Sequence, residues 1–193
     1  REFGASPMDG KPNSPVYNSV LPAMHGKIEF RNNSLIAGLG AEIYPNKPLI
    51  ESNGLQSTET LNSTSVLAYL KYNTKKFHIK AYGITGENLH HLVMIGGYAS
   101  YSNGTGPVTY EGIKTNSFWI DIASNSAKTA PGFFFGYTNQ EGTSADRTVA
   151  TIQARGINAT RGVKDILRAA ARVDFKQNKF RLTPELELSL IHI

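Results

Sequence analysis

Alternation with a period of two constrains this chain more than any other feature. From Met24 to Arg31 the residues Met24, Gly26, Ile28 and Phe30 alternate with His25, Lys27, Glu29 and Arg31. The pattern returns near the end, where Phe180, Leu182 and Leu186 alternate with Lys179, Arg181, Thr183, Glu185 and Glu187. In a β-strand successive side chains point to opposite faces, so each such segment presents one oily face and one charged face. A wall separating lipid from water needs those two faces.

Composition leaves that reading open. With 193 residues, 40% of them hydrophobic and 18% charged, the chain is long enough for one domain and too apolar to be disordered. No run approaches the roughly 20 apolar residues of a spanning helix, whereas about 9–11 alternating residues suffice for a spanning strand. A mean hydropathy of −0.28 is compatible with such strands. Cysteine is absent, which removes disulfides and thiolate metal sites. The net charge of +5 suits an anion-attracting channel or a nucleic-acid surface equally well.

Eight strands are expected, in four hairpins. They run over Ala23–Arg31 and Leu35–Ile43, Ser65–Tyr72 and Phe77–Ile84, Ser117–Ala123 and Gly132–Thr138, and Ile166–Phe175 and Lys179–Glu187. Arg168-Ala169-Ala170-Ala171-Arg172 has helical propensity, but its alternation favours a strand. Short turns then alternate with long connections, the rhythm of outer-membrane barrels, provided that Thr85–Asn116 and Asn139–Asp165 are whole outer loops. Each of those loops carries an apolar piece, Leu92–Tyr98 and Val149–Ile152, expected either above the membrane or folded into the lumen. If they were wall strands, the count would rise to about ten.

Residues 1–187 are therefore expected to form part of a transmembrane β-barrel, an all-β antiparallel meander. Arg1 is not a start residue, and both ends read as cut. The last six residues, 188–193, match a translated transposase mosaic-end adapter and are set apart as adapter-derived.

Several phrases suggest a family. Gly86-Glu87-Asn88-Leu89-His90-His91-Leu92-Val93-Met94-Ile95-Gly96-Gly97-Tyr98, Gly132-Phe133-Phe134-Phe135-Gly136-Tyr137-Thr138 and Ala154-Arg155-Gly156 resemble the downstream part of DcaP-like and related porin-type outer-membrane proteins. The opening, Arg1 to Gly10, resembles a strand end and outer loop of that family. The resemblance implies an exported, homotrimeric pore for small solutes and leaves the solute open.

The chemistry of a pore lies on its wet face. Placing the apolar alternates toward lipid puts Lys27, Glu29, Arg31, Lys71, His78, Lys80, Asp121, Arg168, Arg172, Asp174, Arg181, Glu185 and Glu187 on the lumen side. Taken singly, each is simplest as a solvated charge paired across strands; as a set, cations slightly outnumber carboxylates and lean toward anions. The long loops are expected to narrow the pore, the second bringing Arg147, Arg155 and Arg161 to its mouth. Tyr44, Tyr72, Phe77, Tyr137, Phe175 and Phe180 fall where interfacial aromatic girdles sit.

Other patterns yield to plainer readings. His90-His91 reads as a pair of loop histidines, since no carboxylate pattern surrounds it. The Asn-x-Ser/Thr triplets at Asn32, Asn62, Asn103 and Asn158 are expected in any Asn- and Ser-rich surface. Gly104-Thr105-Gly106-Pro107 lacks the lysine and the setting of a phosphate loop. Nothing identifies a nucleophile with its base, so no enzyme is expected, and no cofactor or metal. Tyr69, Tyr72 and Tyr82 interleave with basic residues, yet their period suits a wall better than a nucleic-acid surface. The rival fold is a secreted β-sandwich or jelly roll that binds glycans, whose strands also alternate.

Overall fold

The structure is a computed structural model that describes residues 18–19, 21–52, 54–102, 108–143, 150–155 and 162–193. Its strands in chain order are β1 (Met24–Arg31), β2 (Leu35–Asn46), β3 (Glu51–Ser52), β4 (Leu55–Gln56), β5 (Leu61–Asn73), β6 (Phe77–Glu87), β7 (Gly96–Tyr101), β8 (Thr109–Gly112), β9 (Lys114–Ser124), β10 (Thr129–Gly142), β11 (Ala150–Arg155), β12 (Asp165–Gln177), β13 (Phe180–Leu182) and β14 (Glu185–His192). One 3-10 turn, Leu89–Leu92, precedes β7. No helix among the described residues is long and apolar enough to cross a membrane.

The chain is all-β. A single antiparallel sheet runs in the order β1-β2-β5-β6-β9-β10-β12, with β13 and β14 both on the far side of β12. The eight expected strands are these, most of them longer by a few residues, and Arg168–Arg172 is extended within β12. The eighth is divided. Phe175 faces Leu182 and Arg172 faces Glu185, so β13 and β14 keep one register across Thr183-Pro184. Pro184 has no N–H to give to the ladder, but its carbonyl still accepts from the Val173 amide at 3.2 Å. The same register carries β14 through His192, pairing the segment set apart as adapter-derived with Asp165–Ala169.

Local chemistry sets the hairpins. At the first turn the Asn32 side-chain oxygen accepts from the amides of Ser34 and Leu35, at 2.9 and 2.8 Å. At the second, Thr74 Oγ1 accepts from Phe77 N at 3.0 Å; at the fourth, Asn178 takes a left-handed φ of 53°. Asparagine tolerates that conformation better than most residues.

The register sorts the side chains by face. Ile28 lies opposite Leu39, Leu39 opposite Ala68, and Ala68 opposite Gly83. The same row continues through Phe118, Tyr137, Leu167 and Leu190. Neighbouring rows, such as Leu70, Ala81, Ile120, Phe135, Ala169 and Leu188, are equally apolar. This face is bare: Ile28 is 82% exposed, Leu39 63% and Leu186 79%.

Burial occurs on the other side of the sheet. Strands β7, β8 and β11 form a separate three-stranded sheet in the order β11-β7-β8, in which all six residues of β7 are buried. It packs by β8 on β5 and by β7 on β6. Leu89, Tyr98, Ala99 and Ile113 are at most 2% exposed there. The two apolar pieces, expected either above the membrane or folded into the lumen, pair in this smaller sheet through Gly96–Tyr98 and Ala150–Ile152, and neither adds a strand to the main sheet. The cause is the cost of leaving so many apolar side chains in water when an acceptor surface lies adjacent.

Candidate functional site

Every charged residue assigned to the wet face from sequence, Lys27 through Glu187, lies on one side of the sheet. The register places Arg31, Lys71, Lys80, Asp121 and Glu187 in one row, and His78, Arg172 and Glu185 in the next. Most are paired. Arg172 grips Asp121 with both nitrogens, at 2.7 and 3.0 Å, and His78 Nε2 stands 3.9 Å from the same carboxylate. Arg181 and the Thr183 hydroxyl both bond Asp174, at 2.6 and 2.8 Å. Arg168 meets Glu187 at 2.5 Å, and Glu29 holds Arg31 at 2.8 Å, Lys27 at 3.7 Å and the Tyr69 hydroxyl.

Two cations differ from the rest. Lys71 lies directly opposite Lys80 across the β5–β6 ladder, and neither has a carboxylate within ion-pair distance among the described residues. Like charges facing each other in a ladder are unfavourable, and the carboxylate that faces Lys80 in the next ladder, Asp121, is already held by Arg172. The remaining charges largely cancel locally.

An aromatic row crosses the same face one step toward the long-connection end. The register aligns Glu29, Gly38, Tyr69, Tyr82, Trp119, Gly136 and Arg168. Tyr82 and Trp119 stack at 6.0 Å, and Trp119 meets Phe134 at 6.1 Å. Cations close the ends, with Lys27 Nζ 5.9 Å from the Tyr69 ring and the Arg168 guanidinium 6.0 Å from that of Phe134. Tyr69 lies flat over Gly38, where a Cβ would collide with its ring. The glycine is there because of that close approach.

Above the row the 3-10 turn folds down onto the face. Asn88 is fully buried, with a left-handed φ of 56°, and its side-chain Nδ2 donates to Ser63 Oγ at 2.9 Å. His90 Nδ1 lies 2.5 Å from Asn88 Oδ1. His91 stacks on Tyr44 at 4.3 Å and reaches Glu42 Oε1 with Nε2 at 2.7 Å. Thr115 Oγ1 donates to the Ile95 carbonyl at 3.2 Å. The histidines read from sequence as plain loop residues are thus pins that fix the turn. Tyr44, expected in a girdle, sits on the polar face as part of the same clamp.

Between turn and wall lies a cavity of about 540 Å³ bounded by Tyr82, Ile84, Ser117, Trp119, Thr138 and Ile166 below and by Leu92–Ile95 above. Sequence reasoning missed this assembly. The legible signal was that Tyr69, Tyr82 and Trp119 all fall on the polar parity of their strands. Of the three mouth arginines, Arg147 and Arg161 lie outside the described residues, and Arg155 is placed only by its backbone opposite Gly96. The opening Arg1–Gly10 lies outside as well.

Among the described residues no three His, Cys, Asp or Glu side chains converge as a metal site. No family model, curated protein or solved structure matches the chain.

Proposed function

We propose that this chain is part of a porin-type outer-membrane β-barrel, a passive channel for small hydrophilic solutes that works without a catalytic step and assembles as a homotrimer. One observation carries the reading. The second layer covers the charged face and leaves the oily face bare, the inverse of the arrangement a protein in water needs. A water-soluble sandwich would bury Ile28, Leu39 and Phe118; here they are 82, 63 and 49% exposed. Lipid is the solvent in which such a face is stable. The likeness of the quoted phrases to DcaP-like porins points the same way.

In this reading the ion pairs of the inner face are lumen charges, and Lys71 and Lys80 supply a local pull on anions. The clamped turn, standing over Tyr82 and Trp119, narrows the passage. The test is planar-bilayer recording of the complete barrel. Discrete conductance steps are expected, and excising Glu87–Tyr110 should enlarge them. Replacing both Lys71 and Lys80 by Gln should shift the reversal potential toward cations. A monodisperse, cooperatively unfolding monomer in detergent-free buffer would overturn the proposal.

A further inference from the structure

We infer that the cavity between the Tyr82–Trp119 pair and the Leu92–Ile95 turn is a binding site for an uncharged, ring-bearing alcohol. It lies on a face otherwise ruled by ions, yet among the described residues none of its bounding side chains is a carboxylate, ammonium, guanidinium or imidazole. Its volume of about 540 Å³ falls within the range of small-molecule pockets, roughly 300–1,000 Å³. A charged solute entering it would lose hydration and find no counter-ion among the described lining residues, which burial penalises heavily. A neutral solute pays no such cost.

The geometry also selects shape and polarity. The stacked Tyr82 and Trp119 rings, only 16° from parallel, form a flat floor on which another ring packs. One wall carries a hydroxyl pair, Ser117 Oγ and Thr138 Oγ1, at 2.7 Å. A single proton suffices for that contact, so the second hydroxyl proton and the remaining lone pairs are available to a ligand hydroxyl. Ile84 and Ile166 complete an apolar surround.

The roof supplies an independent sign. Val93 adopts φ 66° and ψ 22°, a conformation that is unfavourable for a β-branched residue. Its side chain is 60% exposed, so burial of Val93 itself does not offset the strain. Residues held in such conformations gather at ligand clamps, where the surroundings enforce them. Here the Val93 N–H closes the turn by donating to the His90 carbonyl at 3.0 Å, and the His91–Glu42 and Thr115–Ile95 bonds hold the turn on either side.

The test needs only the folded polar face and is separate from conduction. Trp119 is the single tryptophan of this sequence, so in the complete barrel, with any tryptophan lying outside this sequence replaced by Phe, the fluorescence reports on this cavity. In phosphatidylcholine nanodiscs, 4-nitrobenzyl alcohol should quench Trp119 along a saturating curve. 4-Nitrobenzoate, the same ring bearing a carboxylate, should bind roughly tenfold more weakly or worse. The near-isosteric pair Ser117→Ala with Thr138→Val should weaken the alcohol about fivefold, the effect of one neutral hydrogen bond, and leave 4-nitrotoluene unchanged. Quenching that stays linear, equal or tighter binding of the nitrobenzoate, or undiminished affinity for the alcohol in the double variant would each overturn the assignment. Saturable quenching in a protein that fails to conduct would keep the site and remove the pore.

Discussion

The two sides of the main sheet obey opposite rules. On one, Ile28, Leu39 and Leu186 stand open at 82, 63 and 79% exposure, with no covering layer among the described residues. On the other, Leu89 and Tyr98 are wholly buried although the polar face beside them carries Ser63, Ser65 and Thr115. A water-soluble protein places its second layer where apolar area is greatest. This chain places it on the polar face, where hydrogen-bond partners are available, and the proposed barrel reading assigns the uncovered apolar face to lipid. The inner layer is held as much by polar pins as by its own small core, through Asn88 to Ser63, His91 to Glu42 and Thr115 to the Ile95 carbonyl.

The hardest test of that contrast exchanges the chemistry of the faces. Ile28→Arg in the full-length protein should cost about 2–4 kcal/mol near the membrane midplane and sharply reduce assembly, while Leu182→Arg, opposite Phe175 and nearer the interface, should cost less. Lys27→Ala and Thr183→Ala should be tolerated, as read from the membrane-assembled, heat-modifiable fraction on gels. Equal tolerance at both pairs would break the comparison. The isolated chain should accordingly aggregate in water, since β1 and β14 also leave open ladder edges.

The inner layer should yield to a different change. Leu89→Ala removes a fully buried side chain and should cost about 2–5 kcal/mol, confined to the small sheet. Hydrogen exchange is the discriminating measurement: amides of Gly96–Tyr101 should exchange faster while those of β5, β6 and β9 keep their protection. Uniform acceleration would mean that wall and inner layer fold as one unit.

Within the polar face, paired and exposed charges should separate. Asp121→Asn disrupts the two-pronged Arg172 contact, whose side chains are 19 and 11% exposed, and should destabilise by about 1–3 kcal/mol. Glu141→Gln at the exposed Lys114–Glu141 pair should leave stability unchanged. Denaturant titration of the reconstituted protein reads both, and similar losses would show that the charges of the polar face act collectively.

How much of this was legible depends on whether alternation survives in the local sequence. In β1 and β5 it does, and all thirteen charges assigned to the wet face fall together in the register. In Gly132-Phe133-Phe134-Phe135-Gly136 three aromatics run in succession, so parity is silent; only pairing with Ile122, Asp121 and Ile120 sends Phe134 inward and its neighbours outward. What pins the second layer was illegible for another reason. Its placement depends on Asn88, His90 and His91, whose partners Ser63 and Glu42 are 25 and 49 residues from the groups they hold. No periodicity encodes such contacts. The break between β13 and β14 was readable in principle from Pro184, which alternation alone overlooks.

The smallest expected effect concerns Tyr110, on β8 outside the wall. Burial, with a lesser contribution from the Glu59 carboxylate, pushes its phenol up to about 12. Its hydroxyl is buried and finds no hydrogen-bond partner among the described residues. A folded-state value above the ordinary 10.0 means that the folded inner layer holds its proton where the opened chain releases it. The resulting stability is complete below pH 10 and is lost as pH rises from 10 toward 12. Opening of the small sheet, followed by proteolysis in the β7–β8 connection at stepped pH, should therefore increase over that window. Tyr110→Phe removes the titrating group and an unsatisfied hydroxyl together. The variant should match or slightly exceed the parent at pH 8 and lose the Tyr110 contribution to the alkaline slope. An unaltered slope would assign alkaline opening to another group, and a clear loss of stability at pH 8 would show that the hydroxyl has a partner after all.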